Sequence, residues 1–124
     1  MSEPVSADRR QLGNAAEERA AQYLRAAGLE LLHRNYHCRM GELDLIARHG
    51  NTLVIAEVRM RSSARFGGAA ASITWNKRRR IVRTTRHLLA CYPALQKCAV
   101  RFDALLVNGS DGEIEWIKSA FDAF

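Results

Sequence analysis

The stretch Gly41-Glu42-Leu43-Asp44-Leu45-Ile46-Ala47-Arg48-His49-Gly50-Asn51-Thr52-Leu53-Val54-Ile55-Ala56-Glu57-Val58-Arg59 reads as two apolar strands around a two-residue turn. Gly50-Asn51 suits a type II′ hairpin loop, whose first central residue takes a positive φ. Counting outward from that loop sets His49 against Thr52, Ile46 against Ile55, Asp44 against Glu57 and Glu42 against Arg59. Alternation along the second strand puts Leu53, Ile55, Glu57, Arg59 and Arg61 on one face and Val54, Ala56, Val58 and Met60 on the other. Leu53 and Ile55, with Ile46, are expected to pack inward and fix the polar half of the same face. Glu42 opposite Arg59 is expected to be a cross-strand ion pair.

Like charges facing each other across a strand pair destabilise it, so Asp44 opposite Glu57 needs a reason. A divalent cation supplies one. So few hard oxygen ligands suit Mg²⁺, which keeps several waters and takes its remaining ligands from substrate phosphate. The pair therefore points toward phosphate chemistry.

The rest of the chain bounds that reading. A length of 124 residues gives one domain over 1–124, with 1–8 expected as a flexible tail. No apolar run reaches the length of a membrane span and the first ten residues lack a signal-peptide segment, so a cytoplasmic protein without a membrane partner is expected. Cys38, Cys91 and Cys98 form no CxxC pair and are expected to be reduced and packed; His33, His37 and Cys38 lack a fourth ligand for a soft metal. The formal net charge is +6, and Lys77, Arg78, Arg79, Arg80, Arg83 and Arg86 crowd into three helical turns. That concentration fits a polyanion, bound through phosphate contacts and counterion release, although basic helix faces are often merely solvated.

Periodicity predicts a first helix from about Asp8 to Ala27, with Leu12, Ala16, Ala20, Tyr23 and Leu24 on its apolar stripe and Gly28 as its C-terminal cap. A strand follows over about Leu29 to Arg39, then the acidic hairpin, then a Ser/Gly/Ala-rich loop from Arg61 to Ala71 around Phe66-Gly67-Gly68, expected to be mobile. Ser72 or Thr74 caps a second helix that runs to about Ala90, turns Ile81, Leu88 and Leu89 toward the sheet and stops at Tyr92-Pro93. Strands over Arg101–Val107 and Glu113–Ile117 flank the Asn108–Gly112 turn. The order is α-β-β-β-α-β-β, and a helix between the third and fourth strands predicts a central mixed sheet with flanking helices in an α/β fold. Trp75 and Trp116 offer stacking surfaces for bases but are expected in the core, and Arg101 with Asp103 as a structural ion pair.

Taken together, these residues resemble the YraN family of small bacterial proteins. The resemblance spans nearly the whole chain: Ala16-Glu17 with Ala20 and Leu24, Asn35 to Cys38, Gly41 to Ala47, Glu57-Val58-Arg59-Met60-Arg61, Phe66-Gly67, Lys77, Arg101-Phe102-Asp103 and Ala120-Phe121. It implies a restriction-endonuclease-like fold and the PD-(D/E)xK nuclease pattern shared with Holliday-junction resolvases. Carried over, Asp44 and Glu57 are the metal-binding carboxylates for Mg²⁺ or Mn²⁺, with the Val58 carbonyl as a further ligand. Glu17 is an additional acid; helical phase alone does not choose between Glu17 and Glu18. Position 59 is the catalytic lysine of the pattern, and here it is arginine, which supplies charge but no general base. Lys77 or Arg61 is the candidate substitute. Two-fold symmetric junction substrates of such relatives imply a homodimer.

Three functions follow. The first is a metal-dependent, endonuclease-like protein cutting nucleic acid, DNA foremost and branched or single-stranded in form, weakened by Arg59, with Glu17, Asp44, Glu57 and Arg59 as its catalytic set and Arg61, Lys77, Arg78, Arg79, Arg80 and Arg83 as nucleic-acid contacts. The second is a nucleic-acid-binding protein with a relic acidic site. The third treats Asp44 and Glu57 as surface acids neutralised by Arg59, Arg61 and Lys77, with function through protein contacts.

Overall fold

The computed structural model describes the backbone of residues 5–61 and 73–123, with side chains from residue 14 onward. The loop around Phe66-Gly67-Gly68, Ser72 and Leu12 as a stripe residue lie outside what is described. The elements run α1 (Val5–Ala26), β1 (Glu30–Cys38), β2 (Gly41–His49), β3 (Thr52–Arg61), α2 (Trp75–Cys91), a 3-10 turn (Pro93–Lys97), β4 (Ala99–Asn108) and β5 (Ile114–Phe121). This is the expected α-β-β-β-α-β-β order. Helix α1 takes in residues 5–8, which the sequence reading left in a tail, and β5 runs on to Phe121 beyond the expected end at Ile117.

The strands form one five-stranded sheet in the order β1-β2-β3-β4-β5. Neighbours are antiparallel except β3 and β4, which α2 joins in parallel, so the sheet is mixed. The hairpin register is as counted for the half next to the turn, His49 pairing with Thr52 and Ile46 with Ile55 around Gly50 at φ 60°, and the ladder stops before the two outer pairs. The positive φ at the first central position is what a type II′ loop requires.

The helices cover opposite faces. Ala20, Ala21 and Leu24 of α1 pack on Leu45, Ala47, Val54, Ala56 and Leu105, the small alanines letting the helix lie close. On the other face Ile81, Val82 and Leu88 of α2 meet Leu43, Ile46, Leu53, Ile55 and Leu106. Thr84 and Thr85 also turn inward, and their hydroxyls donate back to the Arg80 and Ile81 carbonyls, which removes the cost of burying them. Thr74 caps α2 by accepting from the Lys77 N–H at 3.2 Å. Asp103, fully buried, accepts from the Arg101 guanidinium, the Trp116 indole at 2.8 Å and the Ser119 N–H at 3.0 Å, tying β4 to β5.

Two expectations fail here. Trp75 is 56% exposed, because the stripe of α2 that meets the sheet is already filled and Trp75 falls to one side of it. Cys91 is exposed at the end of the same helix, while Cys98 is buried and Cys38 half-buried; all are free thiols. None of the described helices is long and apolar enough to cross a membrane.

Candidate metal and nucleic-acid site

Strands β2 and β3 hold their ladder from the turn as far as Leu45 opposite Ala56, and there the recorded pairing ends. Beyond that point β2 continues beside β1 alone, while β3 stays paired to β4 through Arg61. A fork between paired strands strands backbone N–H groups that must find acceptors. Here the acids supply them. The Asp44 carboxylate accepts from the Val58 N–H at 2.9 Å, and the Glu57 carboxylate accepts from the Asp44 N–H at 3.4 Å. Each strand thus clamps the other's acidic residue, and the two carboxylates meet inside the fork.

Their electrostatics follow from that position. Glu57 is 2% exposed. Burial, and then repulsion from Asp44, pushes its carboxyl up to about 7 from an ordinary 4.5. Burial also raises Asp44, with the Val58 N–H and Lys77 pulling it back. Glu57 is therefore no surface acid, although the Lys77 expected to neutralise it does lie beside it.

Residues from both helices close on the fork. Lys77, in the first turn of α2, brings its Nζ to 3.5 Å from Glu57 Oε1. From the opposite face, Glu17 of α1 is close enough to Asp44 that burial and the Asp44 charge together raise its carboxyl. Glu18 instead pairs with Arg34 at 2.6 Å, which settles the helical phase that the sequence left open. Glu17 Oε1 and Arg59 Nε are both buried without a hydrogen-bond partner among the described residues. Arg59 lies near enough to favour the charged forms of Asp44 and Glu57.

The expected Glu42–Arg59 pair is absent among the described residues. The strands have already parted at that level, and Glu42 lies across β1 from His37, with Nδ1 to Oε2 3.3 Å. Arg61 is drawn the other way, its guanidinium donating to Glu115 of β5 at 2.8 Å. Of the two candidate substitutes for the strand lysine, only Lys77 reaches the acids. Arg78 turns beneath the helix toward Phe121 and the Ile73 carbonyl, whereas Arg79, Arg80 and Arg83 line the solvent side with Asn76. An open cavity of about 340 Å³ is lined by His37, Gly41, Glu42, Lys77 and Arg80, and Lys77 is the lining residue that also reaches Glu57. Gly41 lets β2 start hard against α2: an added Cβ would sit 3.0 Å from Thr84 Oγ1.

Sequence reasoning gave Asn35 no role of its own. It sits in β1 at φ 54°, the left-handed conformation that Asn tolerates, and its amide counters the upward push on Glu17. A lone Asn in a strand-like stretch was the available signal.

The model of Uncharacterised protein family UPF0102 matches residues 16–107, a span that includes Glu17, the fork and all of α2. The chain belongs to that family. Among UPF0102 relatives, a protein of Nitrosomonas europaea is 55% identical over 111 residues, covering 89% of this chain and 92% of its own. A UPF0102 protein of Legionella pneumophila is 47% identical over 111 residues, at 90% and 94% coverage. One from Methylobacillus flagellatus is 48% identical over 115 residues, at 92% and 99%. UPF0102 is the family to which the YraN-type resemblance pointed.

The donor set at the fork is hard oxygen. Among the described residues no three His, Cys, Asp or Glu side chains converge closely enough to hold one ion, so Glu17 stands beside the acid pair and not in a three-carboxylate set with it. Two carboxylates lie together at the fork, with an acceptor on Glu17 left without a partner among the described residues next to them, and Lys77 and Arg59 close by.

Proposed function

We propose that this protein is a nucleic-acid-binding, metal-dependent phosphodiesterase of the PD-(D/E)xK type, acting on DNA at the Asp44–Glu57 fork. The observation that carries the reading is the acid pair, Glu57 buried and Asp44 half-buried, with Lys77 beside it. Asp44 and Glu57, with the Val58 carbonyl, would hold Mg²⁺ or Mn²⁺. Bound there, the ion supplies a Lewis acid to a phosphate oxygen and a water that ionises near neutral pH.

The chain's own residues do the rest. Lys77 supplies the positive charge that the strand position 59 supplies as lysine in the pattern, from the helix instead of the strand. It faces the substrate side through the basic cavity, where charge on the phosphoryl oxygens grows during in-line displacement of the 3′ oxygen. Arg59 adds charge but stays protonated throughout. Glu17 offers an acceptor to order a water beside Asp44. Arg79, Arg80 and Arg83 hold the flanking phosphates.

Cleavage of branched and single-stranded DNA with Mg²⁺ or Mn²⁺ tests this. Asp44→Asn is expected to abolish it, which also controls for contaminating nuclease. Lys77→Met is expected to slow it about 10²-fold, the typical cost of one transition-state charge contact, and Arg59→Lys to raise it. A second reading, binding without cleavage, is favoured by arginine at position 59. It prevails if wild type and Arg59→Lys both bind DNA and neither cuts.

A further inference from the structure

Trp75 opens α2 with more than half of its surface exposed, and the Arg79 guanidinium lies over its ring, 4.7 Å from the centroid. Leaving a large aromatic outside forfeits the burial that a core position would give. The sheet-facing stripe of α2 has no room for it, being occupied by Ile81, Val82, Thr84, Thr85 and Leu88. At about 100° per residue, Trp75, Arg79 and Arg83 fall on the outer side while Lys77 falls on the flank that reaches Glu57. The N-terminal end of α2 therefore has an aromatic face on one side and the acid fork on the other. No acidic residue stands in its first turn, so on the Trp75 side the helix itself contributes only positive charge.

We propose that Trp75 and Arg79 form a stacking platform for an unpaired base, and that the substrate class is therefore single-stranded or branched nucleic acid, not continuous duplex. The proposal rests on the nucleic-acid reading above and narrows it. Inside a duplex both faces of each base are covered by neighbours, and only an unpaired base presents a π-face to an indole or a guanidinium plane. A strand crossing the start of α2 lays a base on Trp75–Arg79 and its phosphates on Arg80 and Arg83, and leads toward Lys77 and the fork. Charge complementarity selects a polyanion, and the aromatic surface selects one that carries bases.

The test is equilibrium binding of the full chain by fluorescence anisotropy, in EDTA so that metal-dependent cleavage is silent. The probes are labelled oligo(dT), an abasic oligonucleotide of equal length and a blunt duplex. Trp75→Ala is expected to weaken oligo(dT) binding about tenfold, within the range for loss of one stacked base, and to leave the abasic and duplex probes within about twofold. Trp75→Phe is expected to restore most of the loss, which separates stacking from misfolding. Equal weakening on all three probes, or none on oligo(dT), overturns the stacking platform alone. Failure to bind any probe at low salt overturns the nucleic-acid reading and this inference with it, as would tighter binding of an acidic peptide than of oligo(dT).

Discussion

At the scale of single residues, the buried Glu57 couples stability to pH in a direction that can be worked out. Glu57 titrates near 7 in the fold and near 4.5 when unfolded. Between those values the native state holds a proton that the unfolded chain has lost, so stability falls as pH rises through that window. The full loss, reached above about pH 7, is on the order of 3 kcal/mol. Urea unfolding at pH 5 and pH 8 is expected to show the drop, and Glu57→Gln is expected to flatten it. A divalent ion binding the pair is expected to raise the melting temperature at pH 8 and to have little effect at pH 5, where protonated carboxyls bind it poorly. A flat profile between pH 5 and pH 8 in the absence of metal would show that the two acids are solvated after all, and a rise would show that Lys77 and Arg59 hold them ionised in the fold. Part of this was legible in advance: a fixed turn and a period of two set Ile46 against Ile55 and brought Asp44 near Glu57, but not the fork that ends the ladder one pair before them. The pairing of Glu42 with His37 was not, because it depends on β1, which lies on the other edge of β2.

Among the elements, β1 and α2 carry what the hairpin alone does not reveal. Asn35 lets β1 adopt a left-handed residue beside Glu17, a conformation costing most L-residues about 1–2 kcal/mol. Asn35→Gly is expected to leave stability nearly unchanged and Asn35→Val to lower it by at least that amount, measured by denaturant midpoint. Equal midpoints for the two variants would mean that the strand relaxes out of this conformation without penalty. Helix α2 was recognisable from its Thr74 cap, its apolar spacing and the Tyr92-Pro93 stop, and its basic run was visible as composition. Its rotation about its own axis was not, since that is set by which residues the sheet accepts. Rotation decides that Lys77 reaches Glu57, that Arg78 tucks under toward Phe121, and that Trp75 stays outside.

Over the whole molecule, the chain carries an excess of six positive charges, and α2 presents Arg79, Arg80 and Arg83 on its outer side while its Lys77 reaches the acid fork. A repulsive acid pair would be a poor place for a phosphate to approach without that surrounding field, which raises local polyanion concentration and offsets the carboxylates until a cation is shared. Binding should then be dominated by counterion release. For single strands the logarithm of affinity falls with the logarithm of salt concentration by about 0.7 per neutralised phosphate. Replacing Arg79, Arg80 and Arg83 by alanine removes about three such contacts, so the slope is expected to shrink by about 2 while the protein remains folded, these side chains lying on the solvent side of α2. Replacing Arg61, held by Glu115, is expected to change the slope far less. A salt slope that Arg61→Ala reduces as much as the triple replacement would place the nucleic-acid track across β5 and away from α2, and would separate the basic helix from the acid fork beside it.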